Sequence, residues 1–355
     1  MIERDDLKAA IGSGLLTEKQ AAGLIGLADS RRGARNDLAP GDEPFELFKG
    51  FNEIFIVIGM IILATGWAGV WAATTALDVY NATRNMVIAA VIGAALLWLL
   101  SEYFISRRRM VAPAITLSVM FAVNAAIGFI ASMSDVFMVP QGDYTSVPLP
   151  LFLTTIALLV YWWRFRVPFA MAMIAVGLFI VAIVFTASRG GDVGGISDLF
   201  LLSAGGPFAW ITLVLGLLVF AVAMMFDMSD PHRVTRRSAN GFWLHVVAAP
   251  ALVNTIALSL LDRETFGANL LLLFILGLFA VVAIVIDRRS FLIAAIGYIV
   301  ALAAGVMGGE GASITVLILG IVLLLLGAFW ERIRALILRL MPGFVPLHRL
   351  PPSHV

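Results

Sequence analysis

Four polar residues set in or beside long apolar stretches are the leading candidates for chemistry: Asn52, Glu53, His245 and Asn254. A carboxylate and an imidazole at the edge of an apolar phase can bind a cation or pass a proton, because each is costly there unless paired or wet. Glu53 opens the first long apolar run and His245 lies one turn into the seventh. They share a depth, so each is the other's expected partner. Pro250, five residues beyond His245, removes one backbone donor and is expected to kink its helix. The kink would let Asn254 join the cavity that His245 faces; on a straight helix their nine-residue separation puts them on opposite faces. Blander readings stand beside this one. Glu53 can pair with Lys49 one turn earlier, and His245 can bond a neighbouring helix carbonyl. Asn124, in the third run, reads as interhelical glue.

What is missing narrows the chemistry further. The chain has no Cys, which removes disulfides and thiolate chemistry. It has no phosphate-binding GxxxxGK[ST], no HExxH and no GxSxG, so neither a cofactor, a metal site nor an enzyme activity has a motif behind it. No Lys, Arg, Asp or Glu lies in the middle third of any apolar run. That argues against a carrier built on a midplane carboxylate.

The elements that must position these residues are membrane spans. The chain is 61% hydrophobic and 13% charged over 355 residues, far below the charge of a soluble domain. Runs long enough to cross a bilayer as helix number ten: Phe51–Ala73, Asn85–Ile105, Val111–Met133, Leu149–Trp163, Phe169–Ala187, Phe208–Phe226, Phe242–Leu261, Asn269–Ile286, Phe291–Met307 and Ile314–Phe329. Of 24 Lys and Arg, all but Arg84, Arg189 and Arg263 fall before the first run, after the last, or in every second gap between them. By the positive-inside rule those gaps are cytoplasmic, as are both termini. The gaps between carry Asp78, Asp135, Asp143, Asp192, Asp198, Asp262, Glu264 and Glu310 instead. The expected fold is therefore an all-α polytopic bundle in a bacterial cytoplasmic membrane. Its Trp and Tyr, among them Trp98, Tyr103, Tyr161 and Trp330, lie near run ends and read as an interface belt. Arg107, Arg108, Arg236 and Arg237 are expected near anionic headgroups, and no nucleic-acid partner is implied.

A short soluble piece precedes the first span, which must act as its own insertion signal. Residues 3–11 read as a helix stopped by Gly12 and Gly14. Thr17-Glu-Lys-Gln20 is a capping-box pattern opening a second helix. Together residues 3–30 make a helical hairpin too small to hold a core alone, suited to docking on a partner or on a second copy. The domain division is 1–40 hairpin and linker, 41–341 membrane bundle, and 342–355 a proline-rich, extended tail. Arg109-Met-Val-Ala-Pro113 and Arg166-Val-Pro168 share an Arg-then-Pro entry into a span, a weak sign of tandem hairpins.

Gly50-Phe-Asn-Glu-Ile-Phe-Ile56, the run Phe242-Trp-Leu-His245 with Ala249-Pro250, and Trp330-Glu-Arg-Ile-Arg334 before Met341-Pro342 resemble a family of uncharacterised bacterial multi-pass inner-membrane proteins. The resemblance runs along the whole chain and implies its topology without a mechanism. In the family's pattern a second His often stands at Asn254, so the Asn here argues against a two-histidine metal site. Two functions are expected from these observations: a small-molecule transporter or permease, or a non-enzymatic membrane scaffold that recruits a partner through the N-terminal hairpin.

Overall fold

The computed structural model describes residues 9–17, 20, 51–135, 138–191, 195–202, 206–231, 236–263, 265–288, 317, 320–321, 324–325, 328–330, 332–342 and 346–351. Among these the chain is helical, with no strand. It divides into two compact units, Met1–Glu46 and Leu47–Ser353. In the first, residues 9–12 form a helical turn closed by Gly14 at φ +74°, a left-handed position that suits glycine at a helix end. Thr17 Oγ1 accepts the Gln20 N–H at 3.3 Å while Gln20 Oε1 accepts the Thr17 N–H at 3.0 Å, the reciprocal bonds of a capping box.

Among the described residues the larger unit contains eight helices long and apolar enough to cross a membrane, and it is that of an integral, multi-pass membrane protein. They are α1 (Phe51–Leu77), α2 (Ala82–Ser101), α3 (Ala112–Met133), α4 (Pro148–Phe165), α5 (Pro168–Ala187), α6 (Phe208–Met228), α7 (Arg236–Leu261) and α8 (Phe266–Ile286). Helices are the form such segments must take, since lipid offers no partner to a backbone N–H or C=O. The first eight expected spans thus have counterparts. The ninth, Phe291–Met307, lies outside the described residues, as does most of the tenth. Several boundaries move: α1 runs on to Leu77, α2 and α8 start at Ala82 and Phe266 rather than Asn85 and Asn269, and α7 starts at Arg236 rather than Phe242. α7 is continuous through Pro250.

Consecutive helices α2–α3, α4–α5 and α6–α7 pack as pairs, and α3, α5 and α7 join one pair to the next. The turns closing the first two pairs share a device. Arg109 and Arg166 both take φ 53°, and the following helices carry Pro113 and Pro168 in their first turns. A left-handed residue ends one helix and proline, with φ already fixed, starts the next. α2 ends in a π turn, Glu102–Arg107, and Glu102 pairs with Arg164 at the end of α4 at 2.6 Å.

The core between α2, α3 and α4 is aromatic. Tyr161 is fully buried, stacks on Phe121 at 4.7 Å and meets Trp98 edge-on at 6.2 Å. Its hydroxyl bonds Ser101 Oγ at 2.8 Å. Tyr161 therefore belongs to the core and not to an interface belt, because its face of α4 turns towards α3. Trp330 is buried too, whereas Tyr103 and Trp163 stay exposed.

Candidate functional site

Glu53 sits in the first turn of α1, and its side chain is buried. Its carboxylate accepts the backbone N–H of Val111 at 3.3 Å and of Ala112 at 3.1 Å. Those are two of the donors that the start of α3 leaves without an intrahelical acceptor. A carboxylate there also meets the positive end of the helix dipole. Glu53 is thus the cap of another helix, and the expected pairing with His245 is corrected: α1 packs on α2 and α3, while α7 packs on α5, α6 and α8. Equal depth in the membrane says nothing about position around the bundle. Asn52 beside it is exposed, and Asn254, further along α7 from His245, is half-buried. Asn124 donates to the Ala90 carbonyl of α2 at 2.8 Å, and a Cβ at Gly93 would meet its Oδ1 at 2.5 Å. It joins two helices, as expected of it.

His245 finds a different carboxylate. Asp227, the penultimate residue of α6, takes its Nε2 on Oδ2 at 2.9 Å. Arg288, just past α8, donates through Nε to the same Oδ2 at 3.0 Å and through an Nη to Oδ1 at 2.5 Å. That Nη also donates to the Ser238 carbonyl at 2.9 Å. His245, Arg288 and Asp227 are 0%, 2% and 4% exposed. An ionised carboxylate only accepts, so His245 carries a proton on Nε2. The Phe220 ring stands edge-on to the imidazole at 5.5 Å, and the Phe242 ring lies 6.0 Å below the guanidinium carbon.

Local sequence explains the convergence. Gly241 lies against Asp227, where a Cβ would overlap Oδ1, so glycine lets α6 and α7 close around the carboxylate. Asp287 takes φ 56° at the end of α8, a conformation Asp tolerates better than most residues, and this turn precedes Arg288. Asp287 is held in turn by the Trp330 indole N–H at 2.7 Å. Arg334, fully buried, donates to the Ile284 carbonyl at 3.2 Å and to that of Pro351. A guanidinium on the last carbonyls of α8 is well placed against its dipole. The tail is accordingly more than extended: Leu347–Arg349 form a 3-10 turn, and Leu350 and Pro351 are buried.

Sequence reasoning named His245 and missed its partners. Asp227 was the available signal, an acid set in the apolar end of α6 (Met224-Met-Phe-Asp-Met228) within an otherwise Arg-rich gap. Arg288 was masked by its neighbours, since arginines at that end of the bundle have a sufficient topological explanation. Among the described residues no three His, Cys, Asp or Glu side chains converge as a metal site would require. The arrangement can hold charge and exchange a proton. Compared with family models, curated proteins and solved structures, the chain finds no match.

Proposed function

We propose that this protein is a small-molecule transporter or permease of the bacterial cytoplasmic membrane, with ten spans and both termini inside. One observation carries the reading: Asp227 of α6, His245 of α7 and Arg288 just past α8 meet almost fully buried. Stability does not account for such a cluster, because well-packed apolar residues of similar volume do as well or better. Ionisable groups shielded between membrane helices are the usual mark of a substrate or ion pathway. The cluster lies at the arginine-rich ends of α6, α7 and α8, which the charge asymmetry assigns to the cytoplasmic face. Arg236 and Arg237 are exposed at the start of α7, and Arg107 and Arg108 are exposed after α2; all four suit anionic headgroups.

The test is uptake by proteoliposomes of the full chain, against protein-free vesicles, of radiolabelled amino acids, sugars, carboxylates and amines. Saturable uptake of one class is expected. It should be lost in the double variant Asp227→Asn, Arg288→Gln, which removes both charges of the pair together. No uptake above protein-free vesicles for any class would overturn the reading.

A scaffold role is the second reading, favoured by the capped helix start at Thr17–Gln20 in a unit of its own. It predicts a protein that co-purifies with the full chain and is lost when residues 1–40 are deleted.

A further inference from the structure

We infer that the seam between α2 and α4 holds one anionic phospholipid, its phosphate between Arg108 and Arg164 and an acyl chain along Leu99 and Val160. The site is independent of the transport reading, for it uses neither the Asp227 cluster nor any solute. Three contacts define the seam. Ser101 Oγ meets the Tyr161 hydroxyl at 2.8 Å, Trp98 stands edge-on to Phe165 at 4.9 Å, and Glu102 pairs with Arg164 at 2.6 Å. α3 packs on both helices and carries the chain back between them, so α2 and α4 run parallel. An α-helix turns by about 100° per residue. On parallel helices the residue after a contact on α2 and the residue before one on α4 therefore open on the same side.

On α2 those residues are Leu99 and Tyr103, after Trp98 and Glu102; on α4 they are Val160 and Trp163, before Tyr161 and Arg164. All four are exposed. The other side of the seam is closed by α3, whose Phe121 stacks on Tyr161. The open side is thus an apolar furrow with a Tyr and a Trp at its arginine-rich end, the place where aromatic side chains meet headgroups.

Two guanidinium groups are held at that end. Arg108 folds back over the Tyr103 ring, 5.5 Å from its centroid, and donates to the Tyr103 hydroxyl through Nε at 3.2 Å and Nη2 at 3.0 Å. Arg164 is fixed beside the preceding residue by its ion pair with Glu102, yet its side chain stays 47% exposed. A guanidinium carries five donors, so this pair leaves several for a phosphate. Arg107, Arg109 and Arg166 are exposed at the same two turns and form no ion pair among the described residues. Five cations thus face one carboxylate. A phosphodiester is the anion that the membrane itself supplies at this depth. A soluble anion would use the arginines alone, whereas exposed apolar walls leading away from them fit an amphiphile.

The chain has no Cys, so a bimane fluorophore on Ile156→Cys, exposed one turn before Val160, reports what lies in the furrow. The same label on Ile62→Cys, exposed on α1, is the reference. The full chain is placed in phosphatidylcholine nanodiscs with a rising fraction of brominated phosphatidylglycerol, whose bromines quench bimane on contact. Half-maximal quenching at Ile156→Cys should need about tenfold less brominated phosphatidylglycerol than at Ile62→Cys. Brominated phosphatidylcholine should quench both alike. Adding Glu102→Gln, Arg108→Gln and Arg164→Gln together, which removes the acid with its partner, should bring the furrow to the reference value. Equal quenching at the two positions, or a preference that survives the triple change, overturns the inference. A preference abolished by inorganic phosphate, but not by chloride at matched ionic strength, assigns the arginines to a soluble anion and overturns it too. Should the triple variant fail to fold, Arg108→Gln alone must raise the half-quenching fraction at Ile156→Cys, and an unchanged value overturns the inference equally.

Discussion

A side chain that caps a helix other than its own does two jobs, and Glu53 is the case here. It satisfies N–H groups at the start of α3 and ties α1 to the bundle at that point. Glu53→Ala should therefore lower the thermal midpoint of the purified protein, by the equivalent of about 1–2 kcal/mol. Glu53→Gln, which keeps an acceptor without the charge, should recover part of it. Equal midpoints for Glu53→Ala and the native chain would show that the cap is idle. A second carboxylate works on a smaller scale. Asp143, exposed between α3 and α4, accepts the Thr145 backbone N–H at 2.9 Å and its hydroxyl at 2.7 Å, and these bonds hold its carboxyl below the usual value of 3.8. A carboxyl depressed in the folded state stabilises its turn above the unfolded value, and that contribution is lost as pH falls through the folded one. Carbon NMR should see Asp143 titrate closer to 3.8 in Thr145→Ala. An unmoved titration would mean that the hydroxyl is idle and that the backbone N–H, which the variant keeps, holds the carboxyl down alone.

Among the elements, α6 and α7 depend most on a missing side chain. A methyl group at Gly241 would overlap the Asp227 carboxylate, so Gly241→Ala must push the two helices apart or displace Asp227 from Arg288. Breaking a buried pair in this way costs about 3–5 kcal/mol, and Gly241→Ala should unfold far earlier on heating than Gly59→Ala on α1, where nothing lies within 4 Å. Similar midpoints for the two would mean that the α6–α7 contact yields freely. What the sequence disclosed at this scale follows from what hydropathy measures. A run of apolar residues gives a helix and its depth, which is why eight spans, the capping box and the Arg-then-Pro turns were all legible. Direction around the helix axis was not. Glu53 and His245 stand at similar places in their apolar runs yet serve different neighbours, and Tyr161 sits near a span end but faces α3. The order in which helices pack is decided by contacts such as Gly241 on Asp227, whose two halves lie on separate spans and leave no local pattern.

For the molecule as a whole, the asymmetry of charge and the buried cluster bear on one question, which face of the membrane holds the arginine-rich ends. Arg108 lies at one end of the α2–α3 pair, stacked over Tyr103 at 5.5 Å, and Asp143 lies at the other, between α3 and α4. Three or more arginines held on one side cross a bilayer at far higher cost than a few exposed acids. Insertion should therefore leave Arg108 in the cytoplasm and Asp143 outside. Single cysteines test this without background, because the chain has none. In spheroplasts, an impermeant maleimide should label Asp143→Cys and spare Arg108→Cys until the cells are lysed. The opposite pattern would invert the molecule and move the Asp227–His245–Arg288 cluster to the outer face.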